Sequence, residues 1–465
     1  MVELTRRLAE WATKTTYDDL PPEVRTKVKY CMLDCAGVAL ATVGGEVGQI
    51  TQSILPEVGA PGPCSVLGSA RRWKPITAGL INATLAHALD YDDTYQPVPV
   101  HTSASIFPAS LAVAESQRSS GKDLIRAMAL GTEMAIRVGM AVGRSHTERG
   151  WHGTGIFNTF GAATAAGILF ALSAQQMIRC LGTAGVQAAG LARAAVGTKC
   201  KPLHAGKAAM NGILSGLLAA LQGWTAPEKV LEMPLGFATA FSDKPQLEEG
   251  IKGLGEKYLL MDISFKPYAS CSQTHACIDG VRSLGLQHNI DPEEIQEIVL
   301  AVNPFAAATT VAGIPEPKNG FEGKFSLAYC AALALHGHNL GQDAFSDAMV
   351  NRPELRATCR KVKLQAVPGM GDVESGIEIR LKDGRQLSTY VSIAKGNPGN
   401  ELSEEELTGK FLSLVESFLG SRSAHALMST ILNCQDIGNA RELGSLLRRA
   451  SLKAIKVQEF NPHSI

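Results

Sequence analysis

The 465-residue chain has no excess of either charge, with 44 Lys plus Arg against 44 Asp plus Glu. Lacking a basic surplus, it is excluded from roles dominated by nucleic-acid binding, although a local basic pocket for a small anion remains open. It lacks a long apolar run: the stretches near 160–172 and 213–221 are short and interrupted by Gly and Ser, so no membrane association is expected. The start, Met1-Val2-Glu3-Leu4-Thr5-Arg6-Arg7, has no apolar core of a secretory signal, and Glu3 and Glu10 set it apart from a transit peptide. There are 10 cysteines but no Cys-x-x-Cys and no compact Cys/His spacing. We therefore expect reduced, mostly buried thiols, no zinc, and a cytoplasmic location, with mitochondria as the alternative. Also missing are a Gly-x-Gly-x-x-Gly after a strand, a phosphate loop, a Ser-His-Asp signature, internal repeats and low-complexity tracts.

What the chain does have is a core. Hydrophobic residues make up 45% and charged residues 19%, the balance of a globular protein. The length suits two or three domains, or one large core with a smaller partner. The first half reads as successive helices. Pro21-Pro22 opens one, and Val24, Val28, Met32, Cys35 and Ala39 recur at helical spacing. Segments near 76–90, 103–117, 122–143, 158–172, 174–191 and 205–222 are rich in Ala and Gly, which predicts helices packed closely on several sides. After about Leu260 the texture changes. Strand patterns appear at 297–302, 362–367, 376–381 and 387–393, the last two joined by an Asp383-Gly384 hairpin turn, and helices near 274–284 and 326–335 interleave. Beyond Gly396-Asn397-Pro398-Gly399-Asn400 the helical pattern returns, with a capping box at Ser403. The predicted fold is mainly α: an all-helical domain built from 1–262 and 398–465, with a smaller α+β lid domain inserted at 263–397.

Four clusters can carry chemistry. His87-Ala88-Leu89-Asp90-Tyr91-Asp92-Asp93-Thr94 ends an apolar helix, and its acidic patch taken alone reads as a solvated helix end. His101 follows, just before a Thr/Ser-rich helix start where free N–H groups favour an anion. In Gly150-Trp151-His152-Gly153-Thr154-Gly155 the glycines would let a ligand approach the backbone at another helix start. Lys199-Cys200-Lys201-Pro202-Leu203-His204-Ala205-Gly206-Lys207 sets cations beside a helix that should be buried, where a cation is costly unless it meets an anion. Phe265-Lys266-Pro267-Tyr268-Ala269-Ser270-Cys271-Ser272-Gln273-Thr274-His275 lies at the predicted domain junction. Cys271 has no dedicated base that would mark a nucleophile. Lysines hold carboxylates and histidines move protons near neutral pH, a combination suited to chemistry at a carbon next to a carboxylate.

These stretches resemble the MmgE/PrpD family over nearly the whole chain. The matching segments are HALDYDDTY with a following His-x-Ser, GWHGTG, KPLHAGKAA with a subsequent Asn-Gly, FKPYASCSQTH, and GKFSLAYC at 323–330. The family includes cis-aconitate decarboxylases, 2-methylcitrate dehydratases and iminodisuccinate epimerases. The resemblance implies a helical domain with an α+β lid, a homodimer, no metal or organic cofactor, and a di- or tricarboxylate bound between the domains. By similarity, the catalytic residues fall on His101, His152, Lys201 and Lys266. The resemblance also places Asp90, Thr94, Cys271 and Tyr329 in the substrate pocket, and Lys207, Ser272 and His275 of the same motifs are further substrate-binding candidates. Many members have Cys-Arg where this chain has Cys271-Ser272. Ser cannot replace the bidentate grip of Arg on a carboxylate. The decarboxylases also lack that Arg, and a fungal type shares the Cys. Animal decarboxylases have His at the Cys271 position, and the segment 95–100 differs from theirs.

The expected function is therefore a cofactor-independent lyase, most specifically a cis-aconitate decarboxylase. Loss of CO2 would leave an allylic carbanion, stabilised by fixed positive charge and then protonated at carbon by His101 or His152. An alkylcitrate dehydratase is the alternative, followed by an epimerase or an inactive carboxylate-binding dimer.

Overall fold

A computed structural model describes residues 3–459 of the chain. The protein is mainly helical, and the expected small-residue helices form its centre. The Leu203–Ala220 helix packs against both Gly153–Leu169 and Pro75–His87, and Gly121–Val142 lies on the other side of Gly153–Leu169. Glycine sets these distances. A Cβ on Gly131 would lie 2.7 Å from the Gly161 carbonyl oxygen, and one on Gly161 would lie 2.7 Å from that of Gly131. A Cβ on Gly212 would meet that of Ala162 at 2.4 Å, and one on Gly206 would stand 2.6 Å from the Leu80 carbonyl oxygen. The roughly 1 kcal/mol that each helical Gly costs relative to Ala is offset by backbone approach that no larger residue permits.

This packing has a directional consequence. The C-terminus of Pro75–His87 meets the N-termini of Ser103–Gln117, Gly153–Leu169 and Leu203–Ala220, and the residues between these helix ends form the site described below.

Three boundaries differ from the sequence expectation. The first helix stops at His87 rather than continuing to 90, because Asp90 takes a left-handed φ of 52°. The helix expected from 158 starts at Gly153. The one expected to reach 191 ends at Gly185 and gives way to loop. The reading of the first segment as all-helical is also corrected. Strands β1 (Pro61–Ser65) and β2 (Arg72–Trp73) form an antiparallel pair there. A strand of Pro, Gly and Cys is too short and too broken to show an alternating pattern, and Pro at its start needs no ladder donor.

The second half contains a four-stranded sheet in the order β4-β3-β5-β6. β3 (Ile295–Val302) pairs in parallel with β4 (Val362–Ala366) and antiparallel with β5 (Ser375–Leu381), which pairs antiparallel with β6 (Gln386–Val391). Gly384 turns the last hairpin with a φ of 92°, as Asp-Gly predicts. The His275–His288 helix covers this sheet, so close that a Cβ on Gly280 would meet Ile377 Cδ1 at 2.2 Å. After the sheet, the Glu404–Leu419 and Ser421–Leu432 helices return to pack on Pro22–Thr42, and Ser403 and Glu406 form the predicted capping box. The loop segments 263–266 and 394–397 are tied together by a 3.1 Å bond from Phe265 N to the Gly396 carbonyl. No single described helix is long and apolar enough to cross a membrane. Of the 10 thiols, only Cys200 is exposed and Cys271 half-buried.

Candidate active site

The turn after the Pro75–His87 helix organises the site. Asp90 reverses the chain in the left-handed region, a conformation costing about 1–3 kcal/mol that Asp tolerates better than most residues. This aims its main-chain carbonyl and its carboxylate the same way. Lys266 Nζ donates to both, at 2.7 Å to the carbonyl and 2.9 Å to Oδ1. Lys201 Nζ donates to the same Oδ1 at 3.2 Å and to His87 Nε2 at 3.1 Å. The backbone bonds between Thr94 and Ser264, at 3.0 and 2.8 Å, hold Lys266 in this register. Thr94 therefore acts here through its main chain.

His87 is fully engaged. Its Nδ1 faces Asp92 Oδ2 at 2.8 Å, so that nitrogen carries the proton and Nε2 accepts from Lys201. His101 is fixed in the same sense: Nδ1 lies 2.9 Å from the Asp93 carbonyl oxygen, which can only accept. Its Nε2 is thus the basic atom, 4.0 Å from Asp90 Oδ1. His152 precedes the Gly153–Leu169 helix, and its Nδ1 lies 2.9 Å from Nδ1 of His204, at the start of Leu203–Ala220. Ring centroids of His87 and His101 are 4.8 Å apart, of His87 and His152 5.6 Å, and of His101 and His152 6.3 Å.

Burial sets the protonation states. It holds His101 down at about 3 against the pull of Asp92, with Lys266 adding to the depression. It also holds His87 down and His152 well down, and His204 at about 4. Burial opposes the charge of Asp90, but Lys201 and Lys266 outweigh it and keep this carboxyl well below the usual range. Asp92 is likewise depressed, by His87 and His101 against burial. Asp93 goes the other way. Burial pushes it up to about 7, although Ser103 donates to it through both N–H and hydroxyl.

Several expectations are corrected by this arrangement. The acidic patch is not a solvated helix end, since Asp90, Asp92 and Asp93 are all buried. The helix start beside His101 is already served by an internal acceptor, the Asp93 carboxyl on Ser103 N. The two glycines that follow His152 admit protein backbone rather than a ligand, while Gly150 before it faces open space with a φ of 86°. A Cβ on Gly153 would stand 2.2 Å from the Pro99 carbonyl oxygen, and one on Gly155 2.6 Å from that of Ala189. Lys207 is exposed, outside the cluster. Tyr329 is buried, but its hydroxyl is spent on the Ala344 carbonyl at 2.6 Å and its ring faces Phe345. Its helix, Leu327–Leu335, turns it into the hydrophobic core.

The fourth motif does reach the site. Cys271 is close enough to Asp90 and Lys266 to feel their charges, and burial raises its thiol to about 11, so it is a neutral wall and not a nucleophile. Ser272 follows, half-buried, in a short 3-10 turn. His275 lies behind, with Nε2 at 3.3 Å from the Ser270 carbonyl and its ring edge-on to Tyr268. Outside this group, buried Lys410 donates to Asp34 Oδ1 at 2.6 Å and to the Tyr91 carbonyl at 2.7 Å, which ties the acidic turn to the C-terminal helices.

Sequence reasoning assigned no role to His87, Asp92, Asp93 or His204. The only signal was their presence inside the quoted motifs. His87, Asp92 and His101 offer ligand atoms within 4.8 Å of one another. The Lys201 ammonium bonded to His87, with Lys266 beyond it, opposes a further cation there. An anion suits the site better.

Comparison with known proteins agrees with these motifs. The profile of the MmgE/PrpD N-terminal domain matches residues 6–250, and that of the MmgE/PrpD C-terminal domain matches 268–435. The chain is 29% identical to a cis-aconitate decarboxylase of Aspergillus terreus, over 96% of this chain and 92% of that protein. It is 28% identical to a cis-aconitate decarboxylase-like protein, oryM, of Aspergillus oryzae, over 96% and 97%. It is also 28% identical to the human cis-aconitate decarboxylase, over 82% and 81%.

Proposed function

The chain belongs to the MmgE/PrpD family, and from that premise we propose that it is a carboxy-lyase converting cis-aconitate to itaconate without an organic cofactor. The observation that carries the reading is the convergence of Lys201, Lys266, His101 and His152, far apart in sequence, around one buried turn. Two ammonium groups share a single carboxylate oxygen of Asp90, so neither has a carboxylate oxygen to itself and both keep N–H groups for an incoming polyanion.

In this reading a substrate carboxylate joins Lys201 and Lys266 at Asp90. The C–C bond to the departing carboxylate breaks, CO2 leaves, and the electron pair passes into the conjugated allylic system. Fixed ammonium groups and helix N-termini in a water-poor site stabilise that charge without reorganising. The double bond shifts towards the carbon that lost CO2, and protonation by His101 or His152 at the far end of the allylic system, the former vinylic CH that bears the remaining distal carboxylate, completes itaconate. His101 Nε2 is unprotonated before binding, so the trianion must first raise its affinity for a proton. We also propose that 263–397 acts as a lid over this site and that the protein is a homodimer.

The test is incubation with cis-aconitate, citrate and 2-methylcitrate in D2O, followed by proton NMR. Itaconate carrying one deuterium, with CO2 release, is the expected result. Loss of water from 2-methylcitrate without CO2 would make it a dehydratase, and deuterium exchange without net conversion an epimerase. Light scattering after gel filtration tests the dimer.

A further inference from the structure

The motif GKFSLAYC places a buried lysine that the mechanism above does not use. Lys324 is only 5% exposed, and among the described residues it forms no ion pair. Its Nζ has one hydrogen bond, a long one of 3.3 Å to the Ala88 carbonyl, and lies 5.2 Å from the centre of the Phe321 ring. Every neighbouring buried lysine has a carboxylate: Lys201 and Lys266 have Asp90, and Lys410 has Asp34. A buried ammonium with no counter-ion is costly, and its retention points to a guest that supplies the charge.

Its position fits that role. Ala88 is the cap residue of the Pro75–His87 helix, two residues before Asp90, so Lys324 approaches the same turn as Lys201 and Lys266. Its backbone is pinned, with the Lys324 carbonyl accepting from Cys271 N at 2.9 Å. The Lys201 ammonium lies 5.5 Å from the ring of the next residue, Phe325. Burial pulls Lys324 down to about 8, with Asp90 opposing, so it is mostly charged at neutral pH.

We propose that Lys324 is a further carboxylate-binding residue of this site, one that gives a tricarboxylate its advantage over a dicarboxylate. The inference rests on the tricarboxylate reading above. With Asp90 and Asp92 ionised, Lys201, Lys266 and Lys324 leave the turn with a surplus of positive charge that Lys324 alone contributes without an internal partner.

Calorimetric binding of two non-reacting probes tests this on the full chain. Tricarballylate and glutarate share a five-carbon backbone and differ by the central carboxylate. The wild type should prefer tricarballylate at least tenfold. Lys324→Met should lose most of that preference and raise the KM for cis-aconitate at least tenfold with kcat changed less. Lys324→Arg should keep both. Circular dichroism confirms folding, and Lys324→Gln replaces the Met variant should that one not fold. A wild-type preference ratio retained in the Met or Gln variant, or absent from the wild type, overturns the proposal. A lysine that merely closes the helix end would alter thermal stability and leave the ratio unmoved. If the ratio depends on Lys324 but no itaconate forms, the decarboxylase reading fails and the binding role stands.

Discussion

Nδ1 of His152 and Nδ1 of His204 lie 2.9 Å apart, so the two imidazoles share one proton between them. Both cannot be protonated at that nitrogen. His152 is buried while His204 is half-buried, so the pair runs from the interior of the site towards solvent. His152 Nε2 has no hydrogen bond to another described residue and is the atom available to a substrate.

From this pairing, His152→Gln should lower kcat by roughly 10²–10⁴, the worth of a placed general acid, with KM little changed. His204→Phe should lower kcat only about tenfold, since it removes one orienting bond of about 1.4 kcal/mol. His204→Asn, which can still meet Nδ1, should recover part of the loss. Steady-state kinetics on cis-aconitate decide. Equal losses in the two histidine variants would show that the pair acts as a single unit.

Asp90→Asn should destabilise the protein by about 3–5 kcal/mol, because Lys201 and Lys266 would both lose the carboxylate they are paired with and keep only the more distant Asp92. An added polyanion should compensate. Tricarballylate is expected to raise the Tm of the variant more than that of the wild type, read by differential scanning fluorimetry. An unchanged Tm for the variant would mean the two lysines find charge elsewhere.

Asp93 is raised by burial to about 7, so between roughly pH 4 and 7 the folded protein holds a proton that the unfolded chain has released. Stability from this group is full at low pH and is lost as pH rises through 7. Asp93→Asn removes that dependence. Relative to wild type, the variant should gain stability by roughly 2–4 kcal/mol between pH 5 and 8, measured by urea unfolding at each pH. The buried histidines have the opposite sign. His101, depressed by burial to about 3, destabilises the fold as pH falls below 6.5, equally in both proteins.

Ligand binding should take up protons. The empty site keeps His101 neutral through burial and the nearby lysines, and a trianion reverses that balance. At pH 7 we expect uptake of about one proton per site on binding tricarballylate, from calorimetry in buffers of different ionisation enthalpy. His101→Asn should abolish most of it. Release of protons instead would contradict the assignment of His101 Nε2 as the accepting atom.

Much of the scaffold is legible in the sequence. The Ala/Gly texture announced close helices because a glycine such as Gly161 or Gly212 has no other use in a helix interior. Asp383-Gly384 and Ser403 carry their geometry in a few adjacent residues, so the turn and the capping box followed directly. The β1/β2 pair was not readable, since its register depends on Trp73 meeting Pro61 and Cys64 and not on an alternating pattern.

The site divides along the same line. Sequence by itself determined which residue types are present, that they sit at helix ends, and which family motifs hold them, because those are properties of short segments. Only the tertiary structure decided their partners. Asp90 reads as a solvated acid until Lys201 and Lys266, 111 and 176 residues away, reach it. Tyr329 reads as a ligand group until its hydroxyl is found on Ala344, and Lys207 until it is found in solvent. A charge or a hydroxyl is defined by what neutralises it, and burial makes that partner matter far more than it would in water.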